Sequence, residues 1–342
     1  MTAYEDTRDR LRGTPRRWLV TGVAGFIGSN LLQALLELDQ DVVGVDNFAT
    51  GRRTNLDQVR DLVGPERWSR FRLHEGDVAS PELCREALTG VSVVLHQAAL
   101  GSVPRSIEEP LATNTANVTG TLALLEGARQ GGVRRFVYAS SSSVYGDNER
   151  LPKREDELGD MLSPYAVTKL ADELYASVYG RLHGLETVGL RYFNVFGPRQ
   201  DPEGAYAAVI PAWVAAMIRG DEVRIHGTGE TSRDFCYIRN VVEANVLAAT
   251  VEDPAALNQA YNVAVGHRTT LNELFEALRE RLLPRHPHLE GRAPVRGPFR
   301  SGDVLHSLAD IDKARRLLGY APAFSLEQGL EESLEWYERN LA

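Results

Sequence analysis

The fold of this 342-residue chain is decided by the stretch WLVTGVAGFIG, residues 18–28. An apolar segment, Trp18 to Val20, leads into three glycines, and a helical pattern from Phe26 to Leu38 follows directly. The glycines are Gly22, Gly25 and Gly28. Glycines at these places let the chain turn tightly, let a pyrophosphate approach backbone N–H groups, and let the helix pack closely on the strand. The stretch therefore predicts the strand, loop and helix that open a nucleotide-binding sheet.

A carboxylate, Asp46, closes the next predicted strand. At this distance from the glycines, a carboxylate accepts hydrogen bonds from the hydroxyls of an adenosine ribose. A 2′-phosphate at the same place would meet like charge, so the sequence favours NAD over NADP. Arg52 and Arg53 lie close enough in the sequence to soften that repulsion, which keeps NADP open as the alternative.

Short apolar segments alternate with amphipathic ones from Trp18 to about Phe193. The later strands are predicted at Asp41–Asp46, Phe71–His74, Val91–Leu95, Arg135–Ala139 and Thr187–Arg191. Strands that alternate with helices imply right-handed crossovers and parallel pairing. We therefore predict the α/β class, with a doubly wound parallel sheet of the Rossmann type.

The pattern changes after Asn194 to longer connections punctuated by glycine and proline. Helices are predicted at Ile210–Arg219, Val241–Thr250, Leu271–Leu282 and Leu326–Asn340. The segment from Pro284 to Asp303 is rich in proline and arginine and predicts an irregular loop of the kind that grips substrates. We expect a polar extension over residues 1–17, a dinucleotide-binding Rossmann domain over 18–193, and a smaller α/β substrate-binding lobe over 194–342. Some chain of that lobe should cross back to the first domain.

The composition excludes several classes of protein. A net charge of −9 argues against a nucleic-acid partner, since phosphates would be repelled. Two cysteines, Cys84 and Cys236, fit a reducing compartment without disulfides. The first seventeen residues lack the apolar centre of a secretory signal, and no run of eighteen apolar residues occurs. We expect a cytoplasmic protein that does not engage a membrane.

The chemical site is indicated by the stretch SPYAVTK, residues 163–169. Tyr165 and Lys169 are four residues apart and would share one face of a helix, where the ammonium favours the phenolate form of the tyrosine. Such a phenolate can act as a base toward a hydroxyl. Four serines, residues 140–143, follow the strand predicted at Arg135–Ala139, and the carboxyl end of that strand should face the same crevice. Each feature alone is compatible with ordinary solvated surface, but together they form a donor set able to hold a sugar hydroxyl.

With these residues in place, three longer motifs carry a resemblance. AALGSVPR (98–105), RYFNVFG (191–197) and ETSRDFCY (230–237) make the chain similar, over nearly its whole length, to the extended short-chain dehydrogenase/reductase family. Within that family it resembles the nucleotide-sugar 4-epimerases, in particular the UDP-N-acetylhexosamine 4-epimerases of bacterial polysaccharide pathways. The resemblance implies an isomerase that interconverts UDP-GlcNAc and UDP-GalNAc with a resident NAD.

The resemblance also implies a mechanism. Tyr165, kept ionised by Lys169 and NAD⁺, removes the proton of the sugar 4′-hydroxyl while C4 gives hydride to the nicotinamide. The resulting 4-keto sugar turns over and takes the hydride back on its other face. Ser141, or Ser142 and Ser143 beside it, would hydrogen-bond the 4-oxygen. Related dehydratases and decarboxylases usually carry acidic groups where this chain has Ser142 and Ser143, which favours epimerisation.

The site residues that the motifs and the resemblance imply form two sets, and no metal is expected. The cofactor set is Gly22, Gly25, Phe26, Ile27, Gly28, Asp46, Asn47, Thr50, Gly51, Asp77, Val78, Gln97, Ala98, Ala99, Asn117, Tyr165, Lys169 and Tyr192. The substrate set is Ser102, Val103, Ser142, Ser143, Asn194, Ala208, Val209, Arg224, His226, Arg233, Arg300, Asp303 and Ser307. The diphosphate is assigned to Asn194, Arg233 and Arg300, the ribose to Asp303, and the uracil to Val209 and His226.

Several alternatives stay open. Ser307 aligns with a family position where a bulky side chain excludes N-acetylated sugars, so serine favours UDP-GlcNAc and UDP-GalNAc. UDP-glucose and UDP-galactose, or the UDP-uronic acids that Arg105 could favour, are the alternative substrates. A non-catalytic NAD-sensing protein is a more distant alternative, since such proteins typically lose the tyrosine and lysine. The resemblance also implies a homodimer built on a four-helix bundle, from helices at Asn114–Gln130 and Tyr165–His183.

Overall fold

The structure is a computed structural model that describes residues 2–202, 207–298 and 305–341. Its strands are β1 (Arg17–Thr21), β2 (Asp41–Asp46), β3 (Phe71–Glu75), β4 (Val93–His96), β5 (Arg135–Ser141), β6 (Glu186–Tyr192), β7 (Val195–Phe196), β8 (Arg224–His226), β9 (Ser232–Arg233), β10 (Cys236–Tyr237), β11 (Gln259–Val263), β12 (Thr269–Thr270) and β13 (Val295–Gly297). Its α-helices are α1 (Ala3–Gly13), α2 (Phe26–Glu37), α3 (Arg53–Trp68), α4 (Pro81–Ala87), α5 (Val103–Glu108), α6 (Pro110–Asn114), α7 (Gly120–Gln130), α8 (Pro164–His183), α9 (Val209–Arg219), α10 (Ile238–Thr250), α11 (Leu271–Leu282), α12 (Asp312–Leu318) and α13 (Leu326–Leu341). A π-helical turn, Thr115–Thr119, joins α6 to α7.

The centre of the molecule is a parallel sheet. Within the described residues it has seven strands, in the order β11-β6-β5-β4-β1-β2-β3. Its middle strands are apolar because helices cover both faces: Trp18, Leu19 and Val20 have no exposed surface, and every residue of β4 is buried. The predicted doubly wound α/β fold is confirmed.

The order of the strands places the site. The chain leaves β1 toward β2 and β3, then returns to add β4 on the other side of β1. Loops on the two sides of this switch diverge at the carboxyl ends of the strands, which leaves a crevice there. The glycine loop follows β1, Asp46 ends β2, and the serines end β5, so all three border the crevice.

Residues after β6 build a second region beside the crevice. It contains three short strand pairs, β7 with β10, β8 with β13, and β9 with β12, in the part of the chain described. Helices α9, α11 and α13 pack together there, with Trp213 against Phe275 at a ring separation of 6.3 Å. Strand β11 lies in the main sheet beside β6.

Three local predictions differ from the structure in the extent or type of the element. The segment after Pro284 is not irregular throughout, because β13 pairs with β8 and Pro287–Leu289 forms a 3₁₀ turn. Strand β4 begins two residues later than predicted, at Val93. The predicted helix at Asn114–Gln130 lies in a longer helical run that begins at Pro110 and contains the π turn.

The polar N-terminal segment also forms a helix. A capping box opens α1, in which Thr2 Oγ1 accepts the Glu5 N–H and the Glu5 carboxylate accepts the Thr2 N–H. Leu11 is buried in the core, and Gln40 donates from its side chain to the Leu11 carbonyl at 2.8 Å. The signal was present as T-x-x-E at residues 2–5, although the segment has little apolar character overall. No helix in the described ranges is long and apolar enough to span a bilayer.

Candidate active site

The glycine loop is a tight backbone cradle. Gly22 has a φ of +65° and donates its N–H to Val45 O at 2.8 Å, which ties the loop to β2. A Cβ placed on Gly28 would lie 2.0 Å from Gly22 O, so the first turn of α2 packs directly on the loop. Gly25 is the N-cap of α2 and supplies no side-chain cap. The first N–H groups of this twelve-residue helix are therefore available to an anion, and the cradle fits a pyrophosphate.

Asp46 is held at the end of β2 by two backbone donors. Its Oδ2 accepts the Ala24 N–H and its Oδ1 accepts the Phe48 N–H, both at 2.8 Å. Burial raises the pKa of this carboxyl, while these two hydrogen bonds lower it. A Cβ on Gly51 would lie 2.8 Å from Oδ1, so the loop after β2 wraps closely around the carboxylate. The position suits recognition of a ribose hydroxyl beside the glycine loop.

Arg52 and Arg53 are each paired with a carboxylate. Arg52 Nη2 lies 2.6 Å from Asp201 Oδ2, and Arg53 Nη2 lies 2.5 Å from Glu75 Oε2. Their charges are thus already matched by acidic partners, which weakens the argument that they would accommodate a 2′-phosphate.

Most of the other predicted cofactor residues follow the carboxyl ends of β2, β3 and β4 or begin α2. Asn47 donates to Asp77 Oδ2 at 3.1 Å across the ends of β2 and β3, and the N–H groups of Gln97 and Ala98 both lie 3.2 Å from Thr21 Oγ1. Of the remaining members, Phe26 and Ile27 form the first turn of α2, Thr50 is exposed, Val78 is buried and Ala99 is half-buried.

One residue of this crevice was missed by sequence reasoning. Asn245, on α10, donates to Tyr192 Oη at 2.8 Å and accepts from Gln97 Nε2 at 3.2 Å. It therefore links two predicted cofactor residues, one just after β4 and one at the end of β6. Asn245 is separated from Gln97 by 148 positions and belongs to no motif, so no local signal could have found it.

The tyrosine and lysine lie at the start of α8. Ser163 caps this helix by accepting the Ala166 N–H, and the Tyr165 N–H donates to Ser106 Oγ at 3.1 Å. Lys169 is only 2% exposed, and its Nζ donates to Ala139 O at 2.9 Å. This hydrogen bond fixes the lysine against the end of β5, where the serines begin.

Asn117, in the π turn, hydrogen-bonds to the start of α8 and to the loop after β4. Its Oδ1 accepts the Leu100 N–H at 2.8 Å, and its Nδ2 donates to Thr168 Oγ1 at 2.9 Å. Thr168 in turn donates to Tyr165 O at 2.8 Å. Asn117, which was predicted to bind the cofactor, thus links the loop after β4 to the helix of Tyr165.

The serines differ in their hydrogen bonds. Ser140 is buried and its hydroxyl already donates to Glu173 Oε1 at 2.5 Å. Ser141 Oγ instead accepts the Ser143 N–H at 3.1 Å. Ser142 is half-buried in the turn that follows β5. Ser143 Oγ is buried without a hydrogen-bond partner among the described residues. An unsatisfied buried hydroxyl costs about 1–3 kcal/mol, so its position suits a ligand that supplies the missing partner.

A cavity of about 320 Å³ opens in the second region. Six predicted substrate residues line it: Asn194, Ala208, Val209, Arg224, His226 and Arg233. Arg233 is held by hydrogen bonds from Nη1 to Ser232 O and Leu305 O, at 3.0 and 3.2 Å. Sequence reasoning missed the apolar part of the lining, in particular Phe196, Trp213 and Phe235. Arginine and a histidine over an apolar floor are suited to an anionic ligand that also carries a flat ring.

The remaining predicted substrate residues are only partly located. Ser102 caps α5 by accepting the Arg105 N–H at 3.2 Å, and Val103 is exposed beside it. Ser307 is half-buried, and its N–H donates to Ser232 O at 3.0 Å. Arg300 and Asp303 lie outside the described residues.

Known proteins are similar to this chain in both sequence and overall fold. The NAD dependent epimerase/dehydratase family matches residues 18–264. A UDP-glucose 4-epimerase of Mycolicibacterium smegmatis is 36% identical over 329 residues, which are 94% of this chain and 98% of the relative. A UDP-N-acetylglucosamine 4-epimerase of Methanobrevibacter ruminantium, solved with UDP-N-acetylmuramic acid, superposes with a TM-score of 0.85 at 36% identity over 94% of this chain and 98% of that one. A UDP-glucuronic acid 4-epimerase of Bacillus cereus, solved with UDP-glucuronic acid and NAD, superposes with a TM-score of 0.83 at 31% identity over 94% and 99%.

These matches span well over half of the chain, and they define its class. The chain belongs to the NAD dependent epimerase/dehydratase family. Its dinucleotide is NAD, as the carboxylate at Asp46 predicted.

Proposed function

We propose that this protein is an NAD-dependent UDP-sugar 4-epimerase and that its sugars are UDP-GlcNAc and UDP-GalNAc. The observation that carries the reaction type is the buried, unpaired Ser143 hydroxyl just after β5, the strand whose Ala139 carbonyl accepts a hydrogen bond from Lys169. Because Lys169 bonds the carbonyl of Ala139, helix α8 brings Tyr165 to the strand end from which Ser141 and Ser143 project. The family and the relatives at 31–36% identity support the same reaction type.

Each side chain has a distinct role in the proposed reaction. NAD, when bound, supplies the oxidant that takes and then returns the hydrogen on C4 of the sugar. Tyr165 takes the proton of the 4-hydroxyl and later gives it back, and the Lys169 ammonium stabilises the phenolate in between. Ser143 donates a hydrogen bond from its hydroxyl to the 4-oxygen of the sugar. Ser141 accepts the Ser143 N–H and so stabilises the turn that carries Ser143. Neither Ser142 nor Ser143 is acidic, so the loop has no carboxylate to help expel water, and the sugar keeps its other hydroxyls.

The cavity of the second region would hold the UDP moiety. Arg233 is directed by two carbonyl bonds and would offset diphosphate charge, together with Asn194. Val209 is the first residue of α9, whose N-cap Ala208 supplies no side-chain cap, so the helix start adds N–H donors to the cavity. We assign His226 and Val209 to the uracil. Arg300 and Asp303 complete this assignment from the sequence.

Ser307 supports an N-acetylated sugar. Its hydroxymethyl group is small, whereas a bulky residue at this family position excludes the acetamido group. UDP-glucose is the second candidate, favoured by the M. smegmatis relative, and UDP-glucuronate is the third, favoured by the B. cereus enzyme. Arg105, half-buried next to Ser102, is the basic group that would favour a uronate.

A homodimer is also proposed, since one face of the protein carries exposed apolar residues in helical register. On α8 they follow the spacing i, i+7, i+8 and i+15, as Val167, Leu174, Tyr175 and Leu182. Ile107 and Leu111 extend the patch onto α5 and α6, and Leu111 is 83% exposed. A continuous apolar stripe of this kind is typical of an interface. A second copy of the same face would bury it as a four-helix bundle.

The decisive experiment is an incubation of the purified protein, with no cofactor added, with UDP-GlcNAc, UDP-glucose and UDP-glucuronate in parallel. We expect UDP-GalNAc to form in the first. Tyr165→Phe should lower this rate by about 10²–10⁴-fold because it removes the general base. Formation of only UDP-galactose or UDP-galacturonate would overturn the assignment of the sugar, and absence of all three products would overturn the reaction type.

A further inference from the structure

A carboxylate that the proposed reaction does not use, Asp172, lies one turn beyond Lys169 on α8. Its Oδ2 is 3.2 Å from Lys169 Nζ, and the two side chains are only 1% and 3% exposed. Its Oδ1 is buried with no hydrogen-bond partner among the described residues. Lys169 Nζ is thus held between this carboxylate and the carbonyl of Ala139, in a place from which water is excluded.

The pair continues into a row of buried polar groups. A hydrogen bond from Thr121 lowers the pKa of Asp172, although burial is the larger effect and raises it to about 6. Thr121 Oγ1 also lies 2.9 Å from His96 Nε2, and His96 Nδ1 lies 2.7 Å from Thr21 Oγ1. Thr21 Oγ1 accepts the Ala98 N–H at 3.2 Å, so the row ends where the cofactor crevice begins.

The groups around Asp172 identify the cation with which it pairs. His96, from β4, has its pKa lowered to about 3, first by burial and then by Lys169, so its ring is neutral. Glu173 is already paired with Arg191 at 2.8 Å, and buried Tyr138 is neutral because burial raises its pKa well above the usual value. Lys169 is the one cation in contact with Asp172 within the described parts of the chain.

We propose that Asp172 is a positioning residue that anchors the Lys169 ammonium where it acts on Tyr165. This rests on the proposed function, in which the lysine stabilises the tyrosine phenolate. A flexible lysine side chain with a single carbonyl acceptor could turn out of place, and a misplacement of about 1 Å costs on the order of 10²-fold in rate. A second, charged acceptor gives a stronger and more directional bond and offsets a buried ammonium that would otherwise be costly.

The proposal predicts a graded effect on two properties. Asp172→Asn keeps an acceptor oxygen but loses the charge, so kcat should fall by about 10-fold with little change in KM, since a charge-assisted hydrogen bond is roughly twice as strong as a neutral one. Asp172→Leu removes the acceptor and should lower kcat by on the order of 10²-fold. Thr121→Val, which removes a hydroxyl near Asp172, should show a smaller loss in the same direction. Asp9→Asn, an exposed change of the same charge, is the matched control.

A second readout does not depend on turnover. The ultraviolet phenolate titration of Tyr165 is measured as the difference between each holoenzyme and the same protein carrying Tyr165→Phe. Its midpoint should rise by about one pH unit in Asp172→Asn and by more in Asp172→Leu, and each unit corresponds to a tenfold change in the ionisation equilibrium. A midpoint that stays unchanged or falls would overturn the proposal, because simple removal of a negative charge favours the phenolate. If Asp172→Leu fails to fold, Asp172→Asn alone carries both measurements. If the parent protein converts no UDP-sugar but the midpoint still rises in the Asp172 variants, the proposed function is refuted and the anchoring of Lys169 by Asp172 is retained.

Discussion

The substitution Gly28→Ala tests the cradle most directly, because local propensity and packing predict opposite signs. Alanine is favoured over glycine inside a helix by about 1 kcal/mol, so propensity alone predicts a more stable protein. The added Cβ would, however, stand 2.0 Å from Gly22 O, 2.7 Å from Gly22 C and 2.9 Å from Val23 Cα. All three are backbone atoms, so no side chain can rotate away.

The magnitude follows from the distance. Ordinary van der Waals contact begins at 3.4 Å, so α2 and the glycine loop would have to separate by 1.4 Å, the difference between 3.4 and 2.0 Å. Overpacking of this kind typically costs about 1–3 kcal/mol, which outweighs the gain in propensity. The same separation moves the N–H groups that would face the pyrophosphate, and each 1.4 kcal/mol lost there is about a tenfold loss of NAD affinity.

The assay compares Gly28→Ala with Gly13→Ala. Gly13 lies in the last turn of α1, and a Cβ added there would meet nothing within 4 Å, so its variant reports alanine without a clash. We expect Gly28→Ala to unfold at a lower urea concentration and to release less NAD on denaturation than both the parent and Gly13→Ala. Equal urea midpoints and equal NAD content in the two variants would refute the reasoning.

Three further predictions concern regions away from the cradle. Burial raises the pKa of Glu243 from 4.5 to about 7, so the folded state binds a proton that the unfolded state lacks between these values and stability falls as the pH rises through this window. Glu243→Gln should therefore exceed the parent by about 3 kcal/mol in urea unfolding at pH 8 and match it near pH 4.5, whereas exposed Glu252→Gln should show no such trend. Leu11→Ala should cost about 2–4 kcal/mol because Leu11 is 2% exposed, and a loss no greater than that of exposed Arg12→Ala would mean that α1 does not stabilise the core. Leu174→Glu should dissociate the proposed dimer to a monomer in light scattering because it places a charge in the apolar stripe of α8, and a persistent dimer would contradict that interface.

The sequence predicted those parts of the fold and site that depend on neighbours in the chain. The strand before Gly22 and the helix after it follow from periodicity and from glycine sterics, both of which act over a few residues. The carboxylate of Asp46 lies where the motif required it. Tyr165 and Lys169 could be placed together because helical geometry fixes residues four apart on one face.

The parts that were missed depend on partners far away in the chain. The sequence predicts a loop where β13 lies, because the pairing of β13 with β8 joins segments about seventy residues apart and its own three residues carry no strand signal. Asn245 could not be connected to Tyr192 without the fold. The sequence places Asp172 three residues after Lys169 but does not show that it is buried. Its burial, which strengthens its interaction with Lys169, comes from packing of α8 against β5 and against α7, the helix of Thr121.

The residues proposed to select the sugar and to bind the diphosphate, Ser307 and Arg233, are both anchored to one short strand, β9, and this makes the proposed size gate separable from affinity. Ser307 is anchored by its backbone N–H to Ser232 O, and Arg233 is anchored to the same carbonyl and to Leu305 O. Because the anchor of Ser307 does not use its side chain, Ser307→Tyr can add bulk without breaking it. We therefore expect Ser307→Tyr to lose UDP-GlcNAc while the KM for UDP-glucose stays within about threefold of the parent value, a change worth less than about 0.7 kcal/mol. An unchanged rate with UDP-GlcNAc would show that the gate lies elsewhere, whereas equal loss of both sugars would show that residue 307 and Arg233 cannot be altered independently.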